Sequence, residues 1–159
     1  MHALCRAHIS RNHLAHNLSI IKRFAGHRHV LAMIKADAYG HGLTIVAKAL
    51  PDVDGFGVAR LEEAIALRSA GISQTIVVMS GFQTAEQLAA MAKLQLDCVV
   101  HELAQLALLQ SQASTYQGRV WIKVDTGMTR LGLSPSDLPL VQQSLYAMGV
   151  DDSRWVFMT

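Results

Sequence analysis

A single lysine ends an apolar run in the first quarter of the chain, and a turn of small residues follows it. The run covers residues 30–34, the lysine is Lys35, and the turn reads Ala-Asp-Ala-Tyr-Gly-His-Gly. An amine at the end of a buried strand can attack a carbonyl once it has lost its proton. Glycine-rich backbone that leads into a helix, here predicted over residues 43–50, can hold a phosphate. The spacing therefore predicts a site for a carbonyl cofactor that carries a phosphate.

Predicted strands and helices alternate along the chain, and they position this lysine. A helix is predicted over residues 10–24, with Ser10 as its N-cap. Apolar runs predict six strands, at residues 30–34, 55–59, 75–79, 97–100, 120–124 and 155–158. Helical patterns separate them, at residues 43–50, 61–70, 84–93, 103–109 and 136–148.

This alternation favours a parallel sheet of the α/β class. Both an open doubly wound sheet and a TIM-like (β/α) barrel fit, but a barrel needs eight strands and about 250 residues. The 159 residues supply about five and a half such units. We predict a partial TIM-like barrel that does not close within this chain, because the sequence ends inside an apolar strand. Residues 1–159 then form one N-terminal part of a barrel domain.

Composition excludes several classes of protein. Hydrophobic residues make up 51% and charged residues 16%, so much of the chain must be buried or covered. No apolar run approaches the roughly 18 residues of a membrane span, and no secretory segment is visible. Cys5 and Cys98 lack the spacing of a disulfide framework, which favours reduced thiols and a cytoplasmic location. The net charge of +2 is scattered, which argues against nucleic acid as a partner.

The histidines do not predict a metal site. His13 and His16 lie three residues apart on one predicted helix, and His27 and His29 lie in a loop. No carboxylate or cysteine joins them at ligand spacing. We therefore expect these histidines to lie on the surface and to bind no metal ion.

Three segments, in this order, resemble the alanine racemase family. Met-Ile-Lys-Ala-Asp-Ala-Tyr-Gly-His-Gly at residues 33–42 resembles the pyridoxal-phosphate attachment motif and is highly specific. Gly-Phe-Gly-Val-Ala-Arg-Leu-Glu-Glu-Ala at 55–64 and Trp-Ile-Lys-Val-Asp-Thr-Gly-Met-Thr-Arg-Leu-Gly at 121–132 resemble two further family segments. The resemblance implies a TIM-like barrel followed by a β-rich domain, working as a homodimer. Only the N-terminal part of the barrel is expected here.

The resemblance also implies roles for individual residues. Lys35 would hold pyridoxal phosphate as a Schiff base and then move the substrate α-proton, while Tyr39 would donate to the phosphate. Arg130 would bind the substrate carboxylate, since a guanidinium forks onto a carboxylate. Lys123 matches a lysine that is often carbamylated and orients this arginine. We expect His41 to support the turn.

The implied reaction is the interconversion of L-alanine and D-alanine, which supplies D-alanine for peptidoglycan. Racemisation needs a base on each face of a planar carbanion. In the family the second base is a tyrosine from the partner subunit's C-terminal domain. We therefore expect a truncated chain, from a shortened gene or an interrupted reading frame, that binds the cofactor weakly. A non-catalytic pyridoxal-phosphate-binding fragment and a racemase of broader specificity remain the alternatives.

Asp125-Thr126-Gly127 is also the signature tripeptide of aspartic proteases. That interpretation requires an all-β chain that pairs two such carboxylates. The α/β background and the flanking Lys123 and Arg130 argue against it.

Overall fold

A computed structural model describes residues 7–159 of the protein. The chain divides into two compact units, Met1–Ile76 and Val77–Thr159. Within each unit, strands pair in parallel and in chain order, and helices lie between them in the sequence. This arrangement confirms the predicted α/β class.

The first unit contains two paired strands and the helices around them. Strand β1 (Leu31–Met33) pairs with β2 (Gly55–Val58) so that Ala32 lies opposite Phe56. Ser10 caps the first helix as predicted, because its hydroxyl accepts from the His13 amide at 3.3 Å. The elements are α1 (Arg11–Ala25), β1 (Leu31–Met33), α2 (Lys35–Gly40), α3 (Leu43–Lys48), β2 (Gly55–Val58) and α4 (Leu61–Ser69).

The core of the first unit lies against β2, all four residues of which are buried. Phe56 and Val58 are fully inaccessible, as are Ala64 and Leu67 on α4. Gly57 has no side chain to fill the space beside β1, where a Cβ atom would collide with the Met33 sulfur. The carboxyl end of β1 therefore packs closely on β2, and Lys35 leaves the sheet at that point.

The second unit begins inside β3 and contains three further strands. Strands β3 to β6 pair successively in parallel, with Val99 opposite Trp121 and Lys123 opposite Met158. The elements are β3 (Thr75–Val78), α5 (Ala85–Lys93), β4 (Asp97–Val100), α6 (Ala104–Ser111), β5 (Val120–Lys123), α7 (Leu138–Ala147) and β6 (Trp155–Met158), with 3-10 turns at Pro135–Asp137 and Asp152–Arg154.

A polar network fixes β5 against β4 at their amino ends. The buried Asp97 carboxylate accepts from the Arg119 amide and from the Trp121 indole N–H, both at 3.0 Å. The Tyr116 hydroxyl donates to the Leu96 carbonyl at 2.9 Å. Burial raises the pKa of the Cys98 thiol to about 12, so this cysteine stays protonated and inert. Cys5 lies outside the described residues.

The predicted elements agree with the structure apart from details at their ends. The first strand is shorter than predicted, and the last helix begins at Leu138 because a 3-10 turn containing Pro135 precedes it. The main departure is α2, which no sequence pattern indicated. Across residues 7–159, no helix combines the length and apolarity that a membrane crossing requires.

Candidate functional site

Lys35 leaves the sheet at the carboxyl end of β1 and opens a turn of unusual hand. Ala36, Asp37, Ala38 and Tyr39 have φ angles of 53° to 56° and ψ angles of 38° to 53°. This is left-handed helical backbone, which costs an L-residue other than glycine roughly 1–2 kcal/mol at each position. Four such residues in succession persist only where the surroundings hold them. Strain of this kind is typical of functional sites.

Backbone and side-chain hydrogen bonds close this turn from within. The Ala38 amide donates to the Ile34 carbonyl at 2.8 Å, and the Gly42 amide donates to the Asp37 carbonyl at 2.9 Å. The His41 ring nitrogen Nδ1 lies 2.8 Å from the Ala38 carbonyl oxygen. His41 therefore supports the turn, as predicted.

A glutamate from the next βα unit holds the turn from outside. The Glu63 carboxylate accepts from the amides of Ala59 at 2.8 Å and Arg60 at 3.1 Å, and from the Asp37 amide at 3.4 Å. Sequence reasoning did not single out Glu63. The local sequence could have identified it, because an acidic residue at the third position of a helix commonly accepts a hydrogen bond from the N-cap amide.

The predicted phosphate site at the start of α3 does not fit this geometry. Asp37 Oδ1 accepts from the Leu43 amide at 2.6 Å, so a carboxylate already occupies the first amide of that helix. A second anion there would meet like charge. Another polar side chain of the turn, Tyr39, is 59% exposed.

Lys35 and Tyr39 thus provide the two groups that a phosphate-bearing aldehyde requires. The Lys35 side chain is half-buried, and within residues 7–159 neither its amine nor the Tyr39 hydroxyl has a hydrogen-bond or ion-pair partner. Both lie on one braced turn, four residues apart in the chain. The donor set therefore fits pyridoxal phosphate, with an amine for the aldehyde and a hydroxyl for the phosphate.

The second unit carries the other two predicted residues, at the carboxyl end of β5. Lys123 is the last residue of that strand, and its carbonyl accepts from the Leu133 amide at 2.8 Å. The Asp125 amide donates to the Leu133 carbonyl at 2.9 Å, which closes the loop that carries Arg130. Arg130 is exposed, and no described carboxylate lies within ion-pair distance of either cation. Both side chains are free to meet an anion.

Asp125 shapes this loop and does not belong to a protease dyad. Its Oδ1 accepts from the amides of Gly127 and Thr129, each at 2.9 Å. Donation from the Thr129 amide, followed by that from Gly127, lowers the pKa of the Asp125 carboxyl. The α/β fold likewise differs from the all-β chain that a protease requires.

We expect the loop to lose its order only at low pH. Since the folded-state pKa of Asp125 is depressed below its ordinary 3.8, its contribution is complete above that value and disappears as pH falls through the lower one. In an NMR titration, the Gly127 and Thr129 amide shifts should move together with a midpoint below 3.8. Asp125→Asn should remove this titration. A midpoint at or above the ordinary value would contradict the loop geometry.

The histidines lie apart from any metal-ligand cluster. His13, His16, His27 and His29 are all exposed, and no three His, Cys, Asp or Glu side chains in the described part of the chain could hold a metal ion.

A cavity of about 320 Å³ lies behind the Lys35 turn. Its polar lining is His8, Ser10, His13, Asn17 and His41.

The structure combines parallel strands with a lysine at one strand end and a cation-bearing loop after a later strand. These features define an α/β protein of the (β/α)-barrel class. The chain belongs to a family within this class. Residues 9–152 match the model for the alanine racemase N-terminal domain.

Individual relatives agree with this assignment. An alanine racemase of Photobacterium profundum is 44% identical over 141 residues, which are 89% of this chain and 39% of that protein. The alanine racemase structure from Acinetobacter baumannii matches with a TM-score of 0.85 and 31% identity, over 89% of this chain and 43% of the other. A histidine racemase from Leuconostoc mesenteroides matches with a TM-score of 0.79 and 28% identity, over 89% of this chain and 39% of the other. The likeness confirms the predicted partial TIM-like barrel, and the chain spans about two fifths of these relatives.

Proposed function

We propose that this chain is the cofactor-attachment part of a cytoplasmic, pyridoxal-phosphate-dependent alanine racemase, which makes D-alanine for peptidoglycan. The observation that carries the proposal is the left-handed turn with Lys35 at its start and Tyr39 at its end. Alanine racemases are among the relatives that match the chain over most of its length.

Lys35 is the residue around which the chemistry is arranged. When bound, pyridoxal phosphate supplies an electron sink for the charge left on a substrate carbon that loses its proton. Lys35 Nζ anchors the cofactor before substrate enters. Once substrate displaces it, the neutral amine removes or returns the α-proton on one face of the substrate.

Tyr39 and Arg130 supply two further polar groups for the reaction. The exposed Tyr39 hydroxyl would donate to the cofactor phosphate. Arg130 forks onto the substrate carboxylate, for which a permanently charged planar group is well suited. Carbamylated Lys123 would be an anion able to orient the Arg130 guanidinium.

The second face of the substrate requires a second base. In the proposed homodimer this base is a tyrosine of the partner subunit. With Lys35 acting alone, the chain exchanges the α-proton on one face without inverting the carbon. Exchange and inversion can therefore be measured separately.

Deuterium exchange tests the proposal directly. The chain is incubated with pyridoxal phosphate and each alanine enantiomer in D2O, and α-deuterium is followed by NMR. We expect enzyme-dependent exchange in one enantiomer, with the rate reduced at least about hundredfold in Lys35→Ala. Lys48→Ala, which removes an exposed lysine from α3, should exchange as the wild type does. Equal exchange in the Lys35→Ala variant would refute the assignment.

A broader amino-acid specificity is the second candidate, because a histidine racemase shares the fold. The same experiment with histidine and serine distinguishes the two. Exchange confined to alanine supports the narrow specificity, whereas comparable rates for all three amino acids support the broad one.

A further inference from the structure

Glu63 joins the Lys35 turn to the segment between β2 and α4. One carboxylate oxygen, Oε2, accepts from the amides of Ala59 and Arg60 at 2.8 and 3.1 Å. The other oxygen, Oε1, accepts from the Asp37 amide at 3.4 Å. One side chain thus binds two loops, and Glu63 lies 26 residues beyond Asp37 in the sequence.

Lys35 lies between two hydrogen bonds to the next βα unit, one to β2 and one to α4. Before it, the Ile34 amide donates to the Gly57 carbonyl at 2.9 Å. After it, the Asp37 amide donates to Glu63. The backbone is therefore fixed on both sides of the lysine, and the second attachment falls within the strained left-handed residues.

We propose that Glu63 is a positioning residue for Lys35. By accepting the Asp37 amide, it keeps the left-handed turn closed and holds the Lys35 amine and the Tyr39 hydroxyl where one cofactor can contact both. The benefit to cofactor attachment rests on the function proposed above. The bridge between Glu63 and the turn is independent of that function.

A capping role alone would explain the two amides at the start of α4 but not the contact with Asp37. Glu63→Gln separates these roles, because a glutamine side chain has only one acceptor oxygen. Its NH2 group is a donor and cannot accept a hydrogen bond from a backbone amide. The oxygen is expected to stay with the two closer amides, Ala59 and Arg60. The Asp37 amide then loses its acceptor. Glu62→Gln is the matched control, since Glu62 is the exposed neighbour on the same helix.

Amide hydrogen exchange measured by NMR tests the bridge without any cofactor. In the wild type, the Asp37 amide should exchange more slowly than in an unstructured peptide. In Glu63→Gln its exchange should accelerate about tenfold, as loss of one charge-assisted bond implies. Glu62→Gln should leave it unchanged. An unprotected Asp37 amide in the wild type overturns the proposal even if the variant fails to fold, as does equal exchange in the two variants.

Reductive labelling tests the consequence for Lys35. Pyridoxal phosphate and pyridoxal are each added with borohydride, and the labelling rate at Lys35 is measured by peptide mass spectrometry. We expect the rate ratio of the two probes to fall about fivefold in Glu63→Gln and to stay unchanged in Glu62→Gln. A faster Asp37 exchange with an unchanged ratio would contradict the positioning role. A wild type that does not prefer the phosphorylated probe would refute the proposed function, while Asp37 exchange would still decide the role of Glu63 in the turn.

Discussion

Replacing Lys35 with alanine should abolish covalent attachment of pyridoxal phosphate to the chain. The amine at the end of β1 is the group that our account assigns to the cofactor aldehyde, and no neighbouring lysine lies on the braced turn. Addition of pyridoxal phosphate to the wild type should produce the red-shifted absorbance band of a lysine-linked cofactor. In Lys35→Ala the band should be lost, and the apparent affinity should fall at least about tenfold.

The control for this prediction is Lys48→Ala, because Lys48 is an exposed lysine of the same unit. It should retain the band and the wild-type affinity. Circular dichroism should show that both variants are folded to the same extent. A full-strength band in Lys35→Ala would place the attachment point elsewhere.

Replacing Gly132 with alanine should disrupt the loop that carries Arg130. Gly132 has a φ angle of +140°, and a Cβ atom there would lie 2.6 Å from the Asp125 amide nitrogen and 2.9 Å from the Val124 carbonyl carbon. These are backbone atoms, so the loop must open to accept the methyl group. Opening the loop breaks the hydrogen bond from the Asp125 amide to the Leu133 carbonyl. We expect the second unit to lose about 2–4 kcal/mol of its free energy of unfolding.

Gly127→Ala is the matched control for Gly132→Ala. Gly127 also has a positive φ angle, +127°, but nothing lies within 4 Å of the position that its Cβ atom would occupy. It should lose only about 1 kcal/mol, from backbone strain alone. Urea unfolding can be followed by tryptophan fluorescence, since Trp121 and Trp155 both lie in the second unit. Equal losses in the two variants would mean that the close approach of the backbone at Gly132 does not matter.

The strands and their order were predictable because each is a short apolar run between segments of helical pattern. The apolar run before Lys35 identified the strand end, and the turn glycines indicated where the helix α3 begins. His41 was placed correctly as a support for the turn. Local periodicity is sufficient for features of this kind, since neighbouring residues determine them.

The left-handed turn was not predictable from local sequence. Ala36, Asp37, Ala38 and Tyr39 include no glycine, and each avoids this conformation in isolation. Hydrogen bonds close the turn from the Ala38 and Gly42 amides, and the Asp37 amide also donates to Glu63 of the next βα unit. The prediction of a phosphate site at the start of α3 was wrong because the Asp37 carboxylate already accepts a hydrogen bond from the Leu43 amide. Local sequence does not show this contact.

Peptide mapping of the borohydride-reduced complex shows directly whether Lys35 holds the cofactor. The chain is mixed with a stoichiometric amount of pyridoxal phosphate, reduced and digested, and the labelled lysines are identified by mass spectrometry. We expect the label to lie predominantly on Lys35. Label spread evenly over exposed lysines such as Lys48 and Lys93, with none enriched at Lys35, would contradict it.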